Sequence, residues 1–281
     1  MGDSHFPKPF QWFYYNDYLR LVAYRIVILG TGNVAWHLAR ALENAGHIIT
    51  HIYNRNAEKA KKFGLDYFSA STGNSLSLSG INADIFILAI SDDSIEEVAS
   101  NVSLPENAIL CHTSGSKPLK VLGYAPTENI GVFYPLQTFS KGKKVDFNNI
   151  PICLEAENRF TLEALRALGN SISSKTQEIS SQQRQAIHLA AVFACNFTNH
   201  MFTVAQSILE NQEMSFEILK PLIVETLNKS FEIGPERAQT GPAIRQDLKT
   251  LDLQYDSLKA DPELAEIYRL ISQHIIDYYA N

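Results

Sequence analysis

The sequence predicts an α/β chain in two parts, a doubly wound parallel sheet followed by an all-α segment. Three observations predict it. Residues Tyr24 to Gly46, YRIVILGTGNVAWHLARALENAG, read as buried strand, glycine turn and helix. Short branched apolar runs then alternate with helix-period segments to about residue 180. From Ser180 onward the strand signals stop and long helical patterns take over.

Ile26 to Leu29 is too short for a helix and rich in branched residues, which predicts a buried parallel strand. Gly30-Thr31-Gly32 is the turn. Val34, Leu38, Ala41 and Leu42 then share one helix face, and Gly46 sits where a helix ends. A nucleotide pyrophosphate fits this order of elements. Gly30 permits the sharp turn, Gly32 lets backbone approach phosphate, and the helix N-terminus offers unpaired N–H groups with a partial positive charge. Ala35, in place of a third glycine, still lets helix and strand pack closely. The expected phosphate contacts are Gly30, Thr31, Gly32, Asn33 and Val34.

His47 to Tyr53 is the next strand and ends in Asn54-Arg55. Asn54 lies 22 positions after Gly32, about where an acid would bond the ribose 2′-hydroxyl of NAD. No acid stands there. The Arg55 guanidinium is shaped to grip a 2′-phosphate, and Lys59, Lys61 and Lys62 follow, so the pattern favours NADP. The plainer alternative is that Arg55 is a surface residue at a strand end.

Ala83 to Ile90 is a further buried strand, and Ser91 to Ser94 opens a helix over Ile95 to Ala99. Ala89, Ile90 and Ser91 should line the crevice beyond the strand carboxyl ends. Ala108 to Cys111 leads into His112 to Ser116, where Thr113 is expected to meet the nicotinamide or a substrate. Helix capping by Ser114 or Ser116 is the alternative. Position 112 is His rather than Gly, so this loop is not a nucleophile elbow, and hydrolase chemistry is not expected of it. Ile130 to Tyr134 should leave the sheet abruptly at Pro135. Ile150 to Leu154, a helix over Phe160 to Leu168 and a strand near Ser174 to Glu178 complete the sheet.

Ser180 and Gln183 fit a capping box at the start of a helix that runs to about Asn211. Between Ala186 and Phe197 it is apolar nearly all round, which predicts burial on all sides. His188, Asn196 and Asn199 interrupt it. At 100° per residue they fall on one side, and buried polar groups need partners. They are therefore candidate catalytic residues, with core hydrogen bonds as the alternative. Helices over Phe216 to Ile233, Pro242 to Leu258 and Pro262 to Tyr279 follow. Arg245 and Asp247, two residues apart on a helix, diverge by about 200°, so at most one should face a pocket.

A net charge of −6 gives no electrostatic footprint for nucleic acid. Lys141, Lys143 and Lys144 read as a solvated loop. Cys111, Cys153 and Cys195 lack metal spacing, so no metal is expected, and they read as buried reduced thiols of a cytoplasmic protein. No apolar run approaches the length of a membrane span. Residues 1 to 24 are rich in aromatics but lack a signal-peptide core and cleavage site, so they read as an N-terminal extension. The expected domains are 25–180 for nucleotide binding and 181–281 for substrate and dimerisation.

The stretches RIVILGTGNVAWHLARAL, ILCHTSGS, YPLQTFS, HLAAVFACNFTNHM and TGPAIRQDLKTL together resemble a family. It is an uncharacterised bacterial branch of Rossmann-type NADP oxidoreductases with a C-terminal helical domain of unknown function. It is related to pyrroline-5-carboxylate reductase, 6-phosphogluconate dehydrogenase and the deazaflavin-dependent NADP reductases. The resemblance implies a 6-phosphogluconate dehydrogenase-like helical domain, a homodimer through those helices and an active site at the interdomain cleft, but it implies no substrate; the expected chemistry is hydride transfer between NADP(H) and a small carbonyl or imine compound there. In the hydroxyacid dehydrogenase relatives a catalytic lysine lies one turn before an asparagine. If Asn196 is that asparagine, the lysine position holds Val192. Then either His188, one turn further back, stands in as acid/base with Asn196 orienting the substrate, or the chemistry differs, or catalysis has been lost. Lost catalysis would make the chain a non-catalytic NADP-binding sensor, scaffold or metabolite-binding subunit.

Overall fold

The computed structural model describes residues 23–280. Nearly all of the expected N-terminal extension therefore lies outside the described residues. The chain divides into two compact units, one ending at Asn199 and the other beginning at His200.

The first unit is built on eight strands. They are β1 Arg25–Leu29, β2 Ile48–Tyr53, β3 Ser71–Gly73, β4 Ile85–Leu88, β5 Ile109–His112, β6 Ile130–Pro135, β7 Ile152–Ala156 and β8 Thr176–Glu178. Their order is β3-β2-β1-β4-β5-β6-β7-β8. All pairs are parallel except β6 with β7. Connections from β1 run one way across the sheet and those from β4 the other, so the crevice of a doubly wound sheet opens between β1 and β4. This is a Rossmann-type sheet.

Side-chain alternation along β1 divides the core. Ile26 and Ile28 pack on one face with Ala35, Leu38 and Leu42 of α1 (Asn33–Asn44) and with Leu165 and Leu168 of α4 (Arg159–Ile172). Val27 and Leu29 pack on the other with Ile95, Val98 and Ala99 of α3 (Ile95–Asn101). Leu38 and Leu42 are fully buried, each stabilising the fold by about 1.5–3 kcal/mol relative to exposure. The glycine at each end of α1 carries the conformation its place requires. Gly46 has φ +91°, and Gly30 has φ +118° with room for no side chain, since a Cβ there would lie 2.1 Å from the Ala89 carbonyl oxygen.

Two features of the sheet were not anticipated. Strand β3 has only three residues, too few for a periodic signal. The β6–β7 pair is antiparallel, with Pro135 still in the ladder opposite Ile152. The proline closes β6, as expected, but the chain returns as a neighbour instead of crossing over.

After β8 the chain forms α5 (Ser181–Ala191), a π-helical segment (Val192–Phe197) and α6 (Thr198–Glu210). The capping box at Ser180 and Gln183 is present. The expected burial on all sides is not: Leu189 is 59% exposed, Phe193 61% and Phe197 49%. Arg184 is the one fully buried side chain of α5. Apolar composition here marks faces that the chain itself leaves uncovered. Cys195 is likewise exposed, whereas Cys111 and Cys153 are buried as expected.

The second unit contains α7 (Lys220–Ile233), α8 (Pro235–Ala238), α9 (Leu248–Ser257) and α10 (Pro262–Tyr279). The last has the bounds read from sequence. The helix expected from Pro242 begins only at Leu248. Gly241 has φ +109° and Gln246 φ +54°, which a helix cannot accommodate. Asp247 caps α9 instead, accepting the Thr250 N–H at 3.2 Å. The angular argument for Arg245 and Asp247 therefore lapses. Among the described residues of this unit only Ala243, Leu251 and Ala265 are buried.

Candidate functional site

The crevice between β1 and β4 opens into a groove of about 1310 Å³. It follows the carboxyl ends of the strands from β2, where Arg55 stands, to β6, where Tyr134 stands. Four interstrand steps separate β2 from β6, about 19 Å at ~4.8 Å each. A single small-molecule pocket is typically about 300–1,000 Å³, so this groove has room for a dinucleotide and a further small molecule.

All eleven residues expected to contact the cofactor line this groove. The glycine turn is held by backbone on both sides: Gly30 N–H donates to Tyr53 O at 2.8 Å, and Ala89 N–H to Leu29 O at 2.8 Å. At Gly32 a Cβ would meet no protein atom within 4 Å, so the turn faces open space. Helices α2 (Ala57–Gly64), α4 and α5 are capped by the side chains of Asn56, Asn158 and Ser180. Helix α1 has Gly32 at its cap, no side-chain capping bond and no acidic residue in its first turn. Its leading N–H groups are thus left for an anion.

Asn54 does not face the groove as an isolated amide. Its Nδ2 donates to Thr31 Oγ1 at 2.8 Å, and its Oδ1 accepts from Asn56 N–H at 2.9 Å. It ties the glycine turn to the end of β2. Arg55, Lys59 and Lys62 line the adjoining wall, exposed and without an ion pair among the described residues. Lys61 does not line it. Asp66, which also lines the groove, is paired with Arg40 at 2.8 Å.

At the β6 end the groove is walled by Thr113, Ser114, Gly115, Tyr134 and His188. Thr113 Oγ1 donates to Leu88 O at 3.3 Å. Ser114 Oγ accepts from Ser116 N–H and Lys117 N–H at 3.1 and 3.0 Å, so it serves a turn and caps no helix. Tyr134 OH and His188 Nδ1 lie 3.1 Å apart. Burial pushes the Tyr134 phenol up to about 12, so it remains a proton donor at neutral pH. A Cβ on Gly115 would lie 2.6 Å from His188 Nδ1 and 2.8 Å from Tyr134 Cζ. Only glycine lets these two rings meet there.

The antiparallel β7 brings His188 to this edge. β7 and β8 run back along the sheet, and α5 then climbs toward the carboxyl ends. It is anchored by Arg184, fully buried, which pairs with Glu155 of β7 and donates to Lys117 O at 2.6 Å. Ser181 Oγ donates to the Glu155 carboxylate and accepts from Leu119 N–H at 3.0 Å. Gln185 Nε2 donates to Ser116 O at 2.8 Å. One turn past Arg184, His188 meets Tyr134.

Asn196 and Asn199 are exposed and do not line the groove. The 100° step that placed them with His188 fails across Val192–Phe197, where the bonding is π-helical and each residue turns less. Tyr134 and Lys141 line the groove without having been expected to. The signal for Tyr134 was its position at the end of a strand beyond whose carboxyl end a ligand should sit. For Lys141 there was only the Lys-Gly-Lys turn, which also reads as solvated loop.

A doubly wound sheet with an uncapped glycine turn at its crevice defines a dinucleotide-binding protein. Residues 25–114 match the family described as NADP oxidoreductase, coenzyme F420-dependent, and residues 150–275 match a domain of unknown function, DUF2520. A crystal structure from Bacteroides fragilis, of the "putative NADP oxidoreductase" BF3122, is 37% identical. That match covers 92% of this chain and 99% of the other, with a TM-score of 0.82. The protein TM1727 of Thermotoga maritima is 19% identical over 91% of this chain and 98% of its own, at a TM-score of 0.67. A reductive aminase of Aspergillus terreus, solved with NADPH and ethyl levulinate, is 14% identical over 91% and 94%, also at 0.67. The last two share the fold. No curated protein sequence matches the chain. The chain belongs to the NADP oxidoreductase family of the Bacteroides protein, with a Rossmann-type domain followed by the helical domain of unknown function.

Proposed function

We propose that this chain catalyses hydride transfer between NADP(H) and a small carbonyl or imine compound. The observation that carries the reading is one continuous groove with a phosphate-ready glycine turn, the Arg55 cluster at one end and the Tyr134–His188 pair at the other.

NADP(H), when bound, supplies or accepts the hydride. Every other function falls to the chain. The N–H groups from Gly30 to Val34 receive the phosphates. Arg55, with Lys59 and Lys62, holds the 2′-phosphate by charge-assisted bonds. Ala89, Ile90, Ser91 and Thr113 shape the path between them. His188 exchanges a proton at the substrate oxygen or nitrogen, and Tyr134 orients its ring through Nδ1. In this reading Asn196 and Asn199 orient substrate only if they approach the groove when it is filled.

The helical unit supports a homodimer. Leu222, Leu227 and Phe231 of α7 are 63%, 45% and 83% exposed, and such faces on a helical unit with so few buried residues call for a partner. Sedimentation showing a monomer at micromolar concentration would remove this part. Among the described residues no helix is long and apolar enough to cross a membrane. A reducing, cytoplasmic setting fits the unpaired cysteines.

The test is a titration with NADPH and NADH, followed by small keto and imino compounds with loss of NADPH absorbance as readout. NADPH should bind more tightly than NADH, and His188→Ala should keep binding while losing turnover. Binding without turnover across such a panel would favour a sensor. Indifference to both nucleotides would refute the assignment.

A further inference from the structure

We infer that Lys141 is a cofactor-binding residue, a cation that a strap from β6 holds over the glycine turn to grip the pyrophosphate shared by NADP and NAD. The inference rests on the nucleotide reading of the groove and adds a residue to it.

The segment after β6 crosses back toward the start of α1 and is fastened there three times. Asn33 Nδ2 donates to Phe139 O at 2.9 Å, His37 Nε2 meets Ser140 O at 2.9 Å, and Lys141 Nζ donates to Thr31 O at 2.9 Å. The Phe139 ring stacks between His37, at 5.0 Å, and Phe147, at 5.7 Å. The chain then turns sharply. Lys143 N–H donates to Ser140 O at 3.3 Å, and Gly142 has φ +86°. Positive φ at the third residue, with the first and fourth joined, is what a type II turn requires. That turn puts Lys141 at its second position.

Of the three lysines here, Lys141 lines the groove and Lys143 and Lys144 do not. The Lys141 ammonium touches a carbonyl of the turn whose N–H groups face open space. It has no ion pair among the described residues. A phosphate on those N–H groups would lie within reach of an ammonium already tethered to the turn through Thr31 O. A backbone carbonyl is a weak partner for a full positive charge, and a phosphate oxygen is a strong one. Lys141 therefore acts on the pyrophosphate, whereas Arg55 acts on the 2′-phosphate.

The experiment titrates the full chain and its Lys141→Met, Lys141→Arg and Arg55→Met variants with NADPH, NADH and 2′-AMP by calorimetry. 2′-AMP carries the 2′-phosphate but no pyrophosphate. Lys141→Met should weaken NADPH and NADH alike, about tenfold or more, the scale of one charge-assisted bond. It should leave 2′-AMP unchanged, and Lys141→Arg should recover most of the loss. Arg55→Met should weaken NADPH and 2′-AMP but not NADH. Lys141 is exposed, so the ligand-free melting temperature of Lys141→Met should match that of the parent. If Lys141→Met binds all three ligands as the parent does, or loses 2′-AMP equally, the inference is overturned while the nucleotide reading stands. If the parent binds none of the three, the nucleotide reading itself fails.

Discussion

Adding one methyl group at Gly115 tests the β6 end of the groove. The new Cβ would lie 2.6 Å from His188 Nδ1, 2.8 Å from His188 Cγ and 2.8 Å from Tyr134 Cζ. Ordinary contact begins near 3.4 Å, so the His188 ring must retreat by about 0.8 Å or more. Tyr134, nearly buried at the end of β6, must also give by about 0.6 Å. His188, partly exposed on α5, is the ring that moves further. The Tyr134–His188 bond, worth about 0.5–1.5 kcal/mol, is lost, and overpacking adds about 1–3 kcal/mol. A chain of this size should then melt several degrees lower, at about 2–4 °C per kcal/mol. Gly115→Ala should still bind NADPH through the Arg55 end yet lose most turnover. Melting curves, calorimetric NADPH titration and turnover assays on the same preparation separate these effects. If the variant melts and turns over as the parent does, the two rings are not working against Gly115 and the reasoning fails.

Arg184→Met removes the buried partner of Glu155 and the donor to Lys117 O. Denaturant titration should show a loss of about 3–5 kcal/mol, of which a second change, Glu155→Met, should restore part. Burial holds the His112 imidazole down to about 4, against about 6.5 when unfolded. The unfolded chain thus binds the extra proton between those values, so this group's contribution to stability is complete above about pH 6.5. It is lost as pH falls toward 4, by up to about 3 kcal/mol. His112→Asn should flatten that part of the pH–stability profile in denaturant melts, and an unchanged slope would contradict the assignment.

Local chemistry explains which parts of the molecule were legible. The glycine turn announces itself because Gly30 needs a positive φ and Gly32 an open approach, and few other residues serve. The Ser180–Gln183 box and the run from Pro262 to Tyr279 are also local signals. Strand direction is not local. Nothing within Ile152–Ala156 says that it pairs antiparallel with β6, yet that reversal carries α5 to the groove. Apolar residues from Ala186 to Phe197 look like core because sequence does not distinguish a face covered by the same chain from one left open. Pro242 looked like a helix start, but Gln246 in the left-handed region and the Asp247 cap moved the start to Leu248. At the site, Arg55 was visible from its place after β2, whereas Lys141 and Tyr134 depend on contacts more than fifty residues away in sequence.

The π-helical turn between α5 and α6 absorbs one residue locally. Its i to i−5 bonds close a wider ring in which each residue turns less, so excising a single residue from Val192–Phe197 would let the ordinary i to i−4 ladder close while Thr198 kept nearly the same heading. His188, upstream of the widening, would keep its heading. The extra residue is therefore spent inside the turn, where it changes which of the side chains from Val192 to Phe197 share a side with His188.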